Sequence, residues 1–425
     1  MKHLFVKAKL ILKKTLGVML LLSLITACKN DSEEDNFLGS MEIQLTLKEG
    51  LSNISLENVT VKIVNTIDNS EQSHSTDDLG KVMFLNIPAG TYTVTVSEAR
   101  EEEGFTLSSA KSDVQVLSQE RTQVALVVNA VMPSSGLLIK ELYYGGANDG
   151  YVSLFKDQFI ELFNNSSEVL YADGLYIANL YGETGASNHQ YPLTNVMDIR
   201  EYVYADFVDQ VPGDGDDYPV LPGKSIVIAL NAKNFKEGNP KAEFAVDNTD
   251  ATLERYSVDW LESQGRTGNA FFDFDNPDVP NMQNIYISSS SSIYLFNSYG
   301  AGVVIFRKEK NFTENDIVTY IKDDGLNKEE PLLKIPVADV LDGVDFLENS
   351  QAAQYKRVPE NIDTGFNFLK TDGGAFYSSI SMRRKVDETA SQRFGRVVLM
   401  DTNNSGEDFE AIGLPDKFGY NQLAY

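Results

Sequence analysis

The 425-residue chain holds one cysteine, three histidines and one tryptophan. A lone cysteine, Cys28, excludes a disulfide framework and a thiolate metal cluster. His3 lies in an N-terminal segment with the marks of a cleaved signal, which leaves His74 and His189. Two histidines cannot make a three-histidine zinc site, and a Ser-His-Asp triad would have to be built on one of them. Basic charge is scarce as well: 36 Lys and Arg stand against 62 Asp and Glu, for a net charge of −26. Such a surface repels phosphate backbones, which argues against nucleic acid as a partner and makes cations the more natural small ligands. Walker loops, dinucleotide fingerprints, metalloprotease motifs and repeats of fixed period do not occur. Carboxylate chemistry survives these exclusions.

What is present begins with an address. Lys2, Lys7, Lys9, Lys13 and Lys14 precede an apolar run over 16–25, which closes on Ile25-Thr26-Ala27-Cys28. The run is too short to span a bilayer comfortably and reads as a secretory signal over 1–27. Its last four residues resemble a bacterial lipobox, which implies lipidation of Cys28 and anchoring in the outer membrane. Cleavage would remove five lysines and take the net charge to about −31. Residues 28–40, with Asp31-Ser32-Glu33-Glu34-Asp35, are polar and acidic without apolar periodicity, and are expected to be a flexible tether. A Ser followed by acids after the lipidated Cys resembles the signal that exports lipoproteins to the surface of some Gram-negative cells.

From 41 to 132 the chain alternates. Glu42-Ile43-Gln44-Leu45-Thr46-Leu47 and Val59-Thr60-Val61-Lys62-Ile63-Val64 have the period of two that marks half-buried strands. The stretch from Gly80 through Val82, Phe84, Ile87-Pro88-Ala89-Gly90, Tyr92 and Val94 to Val96 resembles the carboxypeptidase-regulatory or transthyretin-like sandwich. Val114–Leu117 and Val124–Val128 would complete it, 101–104 is a solvated loop, and Pro133-Ser134-Ser135-Gly136 marks a hinge.

Residues 137–425 open with Ile139-Lys140-Glu141-Leu142 and continue with Phe159-Ile160-Glu161-Leu162-Phe163-Asn164. Asn-Asn-Ser-Ser and Asp173-Gly174 are turn formers, so Lys156–Ser167 and the segment after it are expected to pair as an opening hairpin. The run from 291 to 306 is expected to be another. With Pro222-Gly223, Ser381/Arg384 and Asp401/Asn403/Ser405/Asp408/Phe409 in that order, the pieces resemble a lamin-tail domain, an immunoglobulin-like sandwich. The excess length, chiefly over 181–216, 232–282 and 307–375, together with Tyr143-Tyr144-Gly145-Gly146 and Asp173-Gly174-Leu175, resembles a family of bacterial lipoproteins known only as a domain of unknown function. The expected fold class is therefore all-β, two β-sandwich domains in tandem: a transthyretin-like one, then an enlarged lamin-tail/Ig-like sandwich with long insertions.

Three constellations can carry chemistry. Glu141 and Glu161, on consecutive strands, could serve as the acid and nucleophile of a glycosidase; the alternative is cross-strand pairing with Arg383 or Arg384. Asp401, Asn403 and Ser405, with Gly406 at the sixth position, space oxygen donors as a calcium loop does, although Ile412 stands where its last acid belongs. Asp214 and Asp216 suggest the same. Trp260 with Tyr143, Tyr144, Tyr176 and Tyr181 could form an aromatic binding rim. The combined expectation is a non-catalytic, lipid-anchored surface protein with no cofactor beyond a candidate Ca2+. It would serve nutrient capture beside a TonB-dependent transporter or bind an extracellular glycan or protein. An adhesion module and a carboxylate-dependent hydrolase are the alternatives.

Overall fold

The computed structural model describes residues 37–48, 54–100, 105–131, 136–148, 152–182, 184–185, 193, 197–288, 294–321, 329–369 and 376–423. The signal at 1–27, Cys28, the tether to residue 36, the acidic loop at 101–104 and the hinge residues 133–135 lie outside them. The chain is nearly all-β, in two modules.

The first module contains β1 (Leu38–Leu47), β2 (Thr60–Asn65), β3 (Glu71–Ser75), β4 (Lys81–Pro88), β5 (Gly90–Arg100), β6 (Phe105–Val116) and β7 (Arg121–Val131). Its strand order is β3-β2-β5-β6-β7-β1-β4. β6 and β7 pair only over Thr106–Ser108 against Asn129–Val131, and β7 then runs parallel to β1, so the strands fold into two layers. Alternation decides what lies between the layers: Met41, Ile43 and Leu45 of β1, Val61 and Ile63 of β2, and Tyr92, Val94 and Val96 of β5 point into one apolar core. Asp77 Oδ1 accepts the Leu79 and Lys81 N–H groups and closes the turn before β4. The Tyr92 hydroxyl donates to the Pro88 carbonyl at 2.8 Å and pins the Pro-Ala-Gly turn. β1 starts at Leu38, so 38–40 are strand rather than tether. A side chain at Gly39 would collide with the Leu117 carbonyl, so the two segments approach at backbone distance.

The second module contains β8 (Leu137–Tyr143), β9 (Phe159–Asn164), β10 (Leu170–Tyr171), β11 (Tyr176–Leu180), β12 (Tyr202–Gln210), β13 (Pro219–Val220), β14 (Ser225–Ala229) and β15 (Leu253–Glu254). It continues with β16 (Gln283–Ile287), β17 (Gly302–Phe306), β18 (Ile317–Ile321), β19 (Glu329–Pro336), β20 (Val340–Asp345), β21 (Ser381–Arg384) and β22 (Phe409–Ile412). Short helices α1 (Val258–Ser263), α2 (Glu388–Phe394) and α3 (Ser405–Asp408) lie between strands. One sheet runs β15-β14-β9-β8-β21-β22, the other β18-β19-β12-β11-β17-β20 with β16 also on β12. Ile139, Leu142, Ile160, Leu162 and Ile228 of the first sheet meet Ile177, Phe207, Val303 and Ile305 of the second in the main core.

Two expected hairpins do not form. β9 pairs with β8 and β14, whereas β11 belongs to the opposite sheet, so the Asn-rich turn carries the chain across the sandwich. Asn164 makes that corner by donating to the Glu168 and Val220 carbonyls, both at 2.7 Å. Likewise β17 pairs with β11 and β20, and 294–300 before it form no strand, while 291–293, where the second expected hairpin begins, lie outside the described residues. The Gln158 amide engages both backbone groups of Phe296 and holds that segment as loop.

The outer face of the first of these sheets is covered as well. Tyr143, Phe159, Val227 and Ala229 pack under the 232–279 insertion, and Leu138 and Phe163 pack under Val397, Leu399 and Tyr420. Every residue of β8 and β9 is therefore buried. Charges on that face need internal partners.

Candidate functional site: the junction of the two modules

The two modules touch through the outer face of β2, β5 and β6. Ser108 Oγ donates to the Thr402 carbonyl, Ser350 Oγ donates to the Thr66 carbonyl at 3.1 Å, and Lys62 Nζ lies 2.7 Å from Glu407. A cleft of about 330 Å³ opens on one side, between Ser108–Lys111, Ala125–Val127 and Asn129 of the first module and 360–364 with Thr402 and Asn403 of the second. A smaller one of about 160 Å³ lies on the other side, between Thr93, Thr95 and Ser112 and the Phe366 and Glu407 segments. Ala110 lines both. Pockets at domain interfaces are preferred ligand sites.

The loop from Asp401 to Asp408 forms the second module's wedge into this junction. Arg384, 2% exposed, reaches Asp342 at 2.8 Å, Asp401 at 3.2 Å and Asp408 at 3.4 Å. Three buried carboxylates share one guanidinium, so burial pushes the carboxyls of Asp401 and Asp408 above their ordinary range while the arginine opposes it. Asp408 also accepts from the Thr402 N–H and hydroxyl. Asn404 Oδ1 caps α3 at the Gly406 N–H, and Ser405 binds Asp363 through both its N–H and its hydroxyl. A Cβ at Gly365 would collide with Asn404 Oδ1, so the wedge seats only against a residue without a side chain. Asn404 Nδ2 is left buried without a hydrogen-bond partner at the edge of the smaller cleft.

This geometry redirects the nominated cation loop. The Asp401 carboxylate faces Arg384, and Ser405 is engaged by Asp363, so the donors do not converge on a common point. Asp214 and Asp216 are exposed, in a loop wrapped around Asp173, which accepts the Gly215, Asp217 and Tyr218 N–H groups. Burial of Asp173 works against its ionisation, but those three hydrogen bonds outweigh it and hold the carboxyl below its usual range. Among the described residues no group of three or more His, Cys, Asp or Glu is placed to hold a metal ion.

The nominated carboxylate pair also lands elsewhere. Glu141 and Glu161 are register partners on β8 and β9, both on the covered face and both fully buried. Their expected partners are taken: Arg384 is in the wedge, and Arg383 binds Glu410 at 3.1 Å and Asp416 at 2.9 Å. A bulge between Ile139 and Glu141 instead puts Lys140 on that face, 2.8 Å from Glu161 and 4.9 Å from the Tyr420 ring centroid. The C-terminal segment closes over them, with the Asp416 N–H donating to Glu141 and the Phe418 N–H to Glu161. Burial, aided by the Glu161 charge, pushes the Glu141 carboxyl up to about 7. A sealed pair has no open face from which to meet a glycosidic bond.

The aromatic rim does not assemble. Tyr143 and Tyr144 are successive residues at the end of β8 and point into different cores. Tyr176 stacks on Phe306 with centroids 4.9 Å apart, and Tyr181 meets Tyr320 at 5.5 Å. Trp260, in α1, packs half-buried against the main core.

Residues 221–415 match the model of a family described as protein of unknown function, DUF4876. Residues 25–130 match SpaA, described as a prealbumin-like fold domain, in agreement with the transthyretin-like reading of the first module. The crystal structure of a DUF4876 family protein from Bacteroides thetaiotaomicron is 27% identical, with a TM-score of 0.53, and covers 87% of this chain and 94% of that one. The likeness therefore extends beyond either module alone. The Bacillus anthracis TIE protein, 21% identical, covers 35% of this chain and 23% of its own, with a TM-score of 0.19. The major pilin SpaD of Corynebacterium diphtheriae, 10% identical, covers 40% and 48%, with a TM-score of 0.17. Neither resembles the chain closely enough to carry an argument. No curated protein matches.

The junction was missed in the sequence because its halves are far apart: Ser108 and Thr402 are separated by 294 positions. The usable signal was the ordered set Ser381/Arg384 and Asp401/Asp408. Those residues do meet, as the frame of the wedge.

Proposed function

We propose that the protein is a non-catalytic binding module displayed on the surface of a Gram-negative cell. A lipid on Cys28 holds it to the outer membrane, and it captures an extracellular ligand for a neighbouring TonB-dependent transporter. The observation that carries the reading is the pair of clefts at the module junction, lined by residues from distant segments of both modules. The best-placed carboxylate pair supports it from the other side, being sealed and internally partnered. The lipobox-like Ile25-Thr26-Ala27-Cys28, the acidic run after it and the relative from a Bacteroides species support the address. No helix of the described residues is long and apolar enough to cross a membrane.

The test is made on intact cells. Metabolic labelling with a fatty acid should mark the wild type and not Cys28→Ser, external protease should remove the wild type, and mild detergent should co-purify it with an outer-membrane transporter. An unlabelled, protease-protected protein would end the reading.

A further inference from the structure

We infer that the larger junction cleft takes a hydroxylated anion: a sugar unit bearing a carboxylate or a phosphate. This deepens the binding role proposed above and rests on it. The cleft's charge is the first observation. In a chain of net charge −26, its lining carries Lys48 and Lys111 against a single acid, Glu360. Neither lysine has an ion-pair partner among the described residues, in contrast to Lys62 of the smaller cleft, which is held by Glu407. Two lysines lining one concave space, both exposed and without an ion-pair partner among the described residues, favour an anion, and each does so as a point charge that accepts carboxylate or phosphate alike.

The neutral part of the lining supplies the second half of the specificity. Asn129, Asn361 and Asn403 present side-chain amides from three separate segments, and each amide both donates and accepts, as successive sugar hydroxyls require. The walls contributed by Ser108, Ser109, Ala110 and Ala125 are small, which leaves the volume open. At about 330 Å³ the cleft lies at the low end of small-ligand pockets, the size for one or two sugar units rather than a protein segment. It lacks an aromatic stacking wall, so charge and hydrogen bonds would have to carry recognition.

The experiment is calorimetric titration of the purified full-length protein in detergent with trigalacturonate, glucose 6-phosphate and neutral maltotriose. At least one anionic sugar should bind, with maltotriose weaker by about tenfold or more, and the affinity should fall as salt is raised. The double variant Lys48→Glu, Lys111→Glu, checked for an unchanged melting curve, should lose about tenfold or more, and Glu360→Gln should gain about twofold. Which of the two anions binds identifies the acid group. Equal binding of maltotriose, indifference to both lysines, or no heat from either anion up to about 10 mM would overturn the inference. The proposed surface role is decided separately, by the labelling, protease and co-purification results.

Discussion

The two modules solve the same problem, a two-layer β core, with different materials. In the first, the buried polar side chains among the described residues are Asn65, Thr76, Thr95, Ser108 and Ser109, none of them ionisable at ordinary pH. In the second, Lys140, Glu141, Glu161, Asp209, Arg255, Asp342, Asp345, Arg357, Arg384 and Asp408 are all buried. The difference follows from layering. The first module buries the face between its two layers, so its charges sit on the outer face, in water or, for Lys62, half-buried at the junction with Glu407. The second covers both faces of its β8-β9 sheet, so a charge on either face must find a partner inside. A module of the first kind tolerates pH and salt, and one of the second kind is held by pairs that a single substitution or titration can break.

The largest expected effect is at Arg384. Arg384→Met leaves three buried carboxylates without their cation and should cost about 3–5 kcal/mol. Hydrogen exchange under graded urea should show early opening of the second module while the first keeps its protection; equal loss in both would erase the contrast. Phe84→Ala is the converse, a cavity in a purely apolar core, with a loss of about 3–5 kcal/mol confined to the first module.

Next comes pH. Burial raises the Glu141 carboxyl from 4.5 to about 7, so the folded state holds its proton more tightly than the unfolded one. The resulting stability is fully present below pH 4.5 and is lost as pH rises through 7, an effect of about 3 kcal/mol. Asp206, Glu254 and Asp401 are also raised to about 7 by burial, so urea unfolding at pH 5 and pH 8 should show a larger total loss in the wild type, and Glu141→Gln should reduce it by about 3 kcal/mol. A variant that kept the full slope would move the cause elsewhere.

Smaller effects lie at the junction. Lys62 and Glu407 are about a quarter to a third exposed, so Lys62→Glu should change stability by less than about 1 kcal/mol. Its readout is selective loss of exchange protection along β2 and the 404–407 segment. Smallest of all, calcium should shift the melting temperature by less than about 1 °C, since Asp401 already faces Arg384. A larger shift that disappears in Asp401→Asn would restore the cation loop.

The sequence was most legible where the contrast says it should be. Period-two alternation with one wet face located β1, β2, β4 and β5 of the first module, and Ile87-Pro88-Ala89-Gly90 located its tight turn. In the second module, β8 reads Leu-Leu-Ile-Lys-Glu-Leu-Tyr and is buried throughout, so its composition does not show which internal partner each charge takes. The bulge that turns Lys140 toward Glu161 leaves no mark in composition. Nor does the corner at Asn164, since Asn-Asn-Ser-Ser serves a hairpin and a sheet-to-sheet crossing equally well. Arg384, Asp401 and Asp408 stand in one ordered motif and do meet, but as an ion-pair frame rather than a cation loop, and their meeting place depends on segments that share no local pattern.

The central claim is that binding takes place where the modules meet. Hydrogen exchange of the full-length protein with and without trigalacturonate tests it most directly. Added protection is expected in 108–111, 125–129, 360–364 and 402–403, with none around Glu141 and Glu161. Protection centred on those two glutamates, with the junction unchanged, would contradict it.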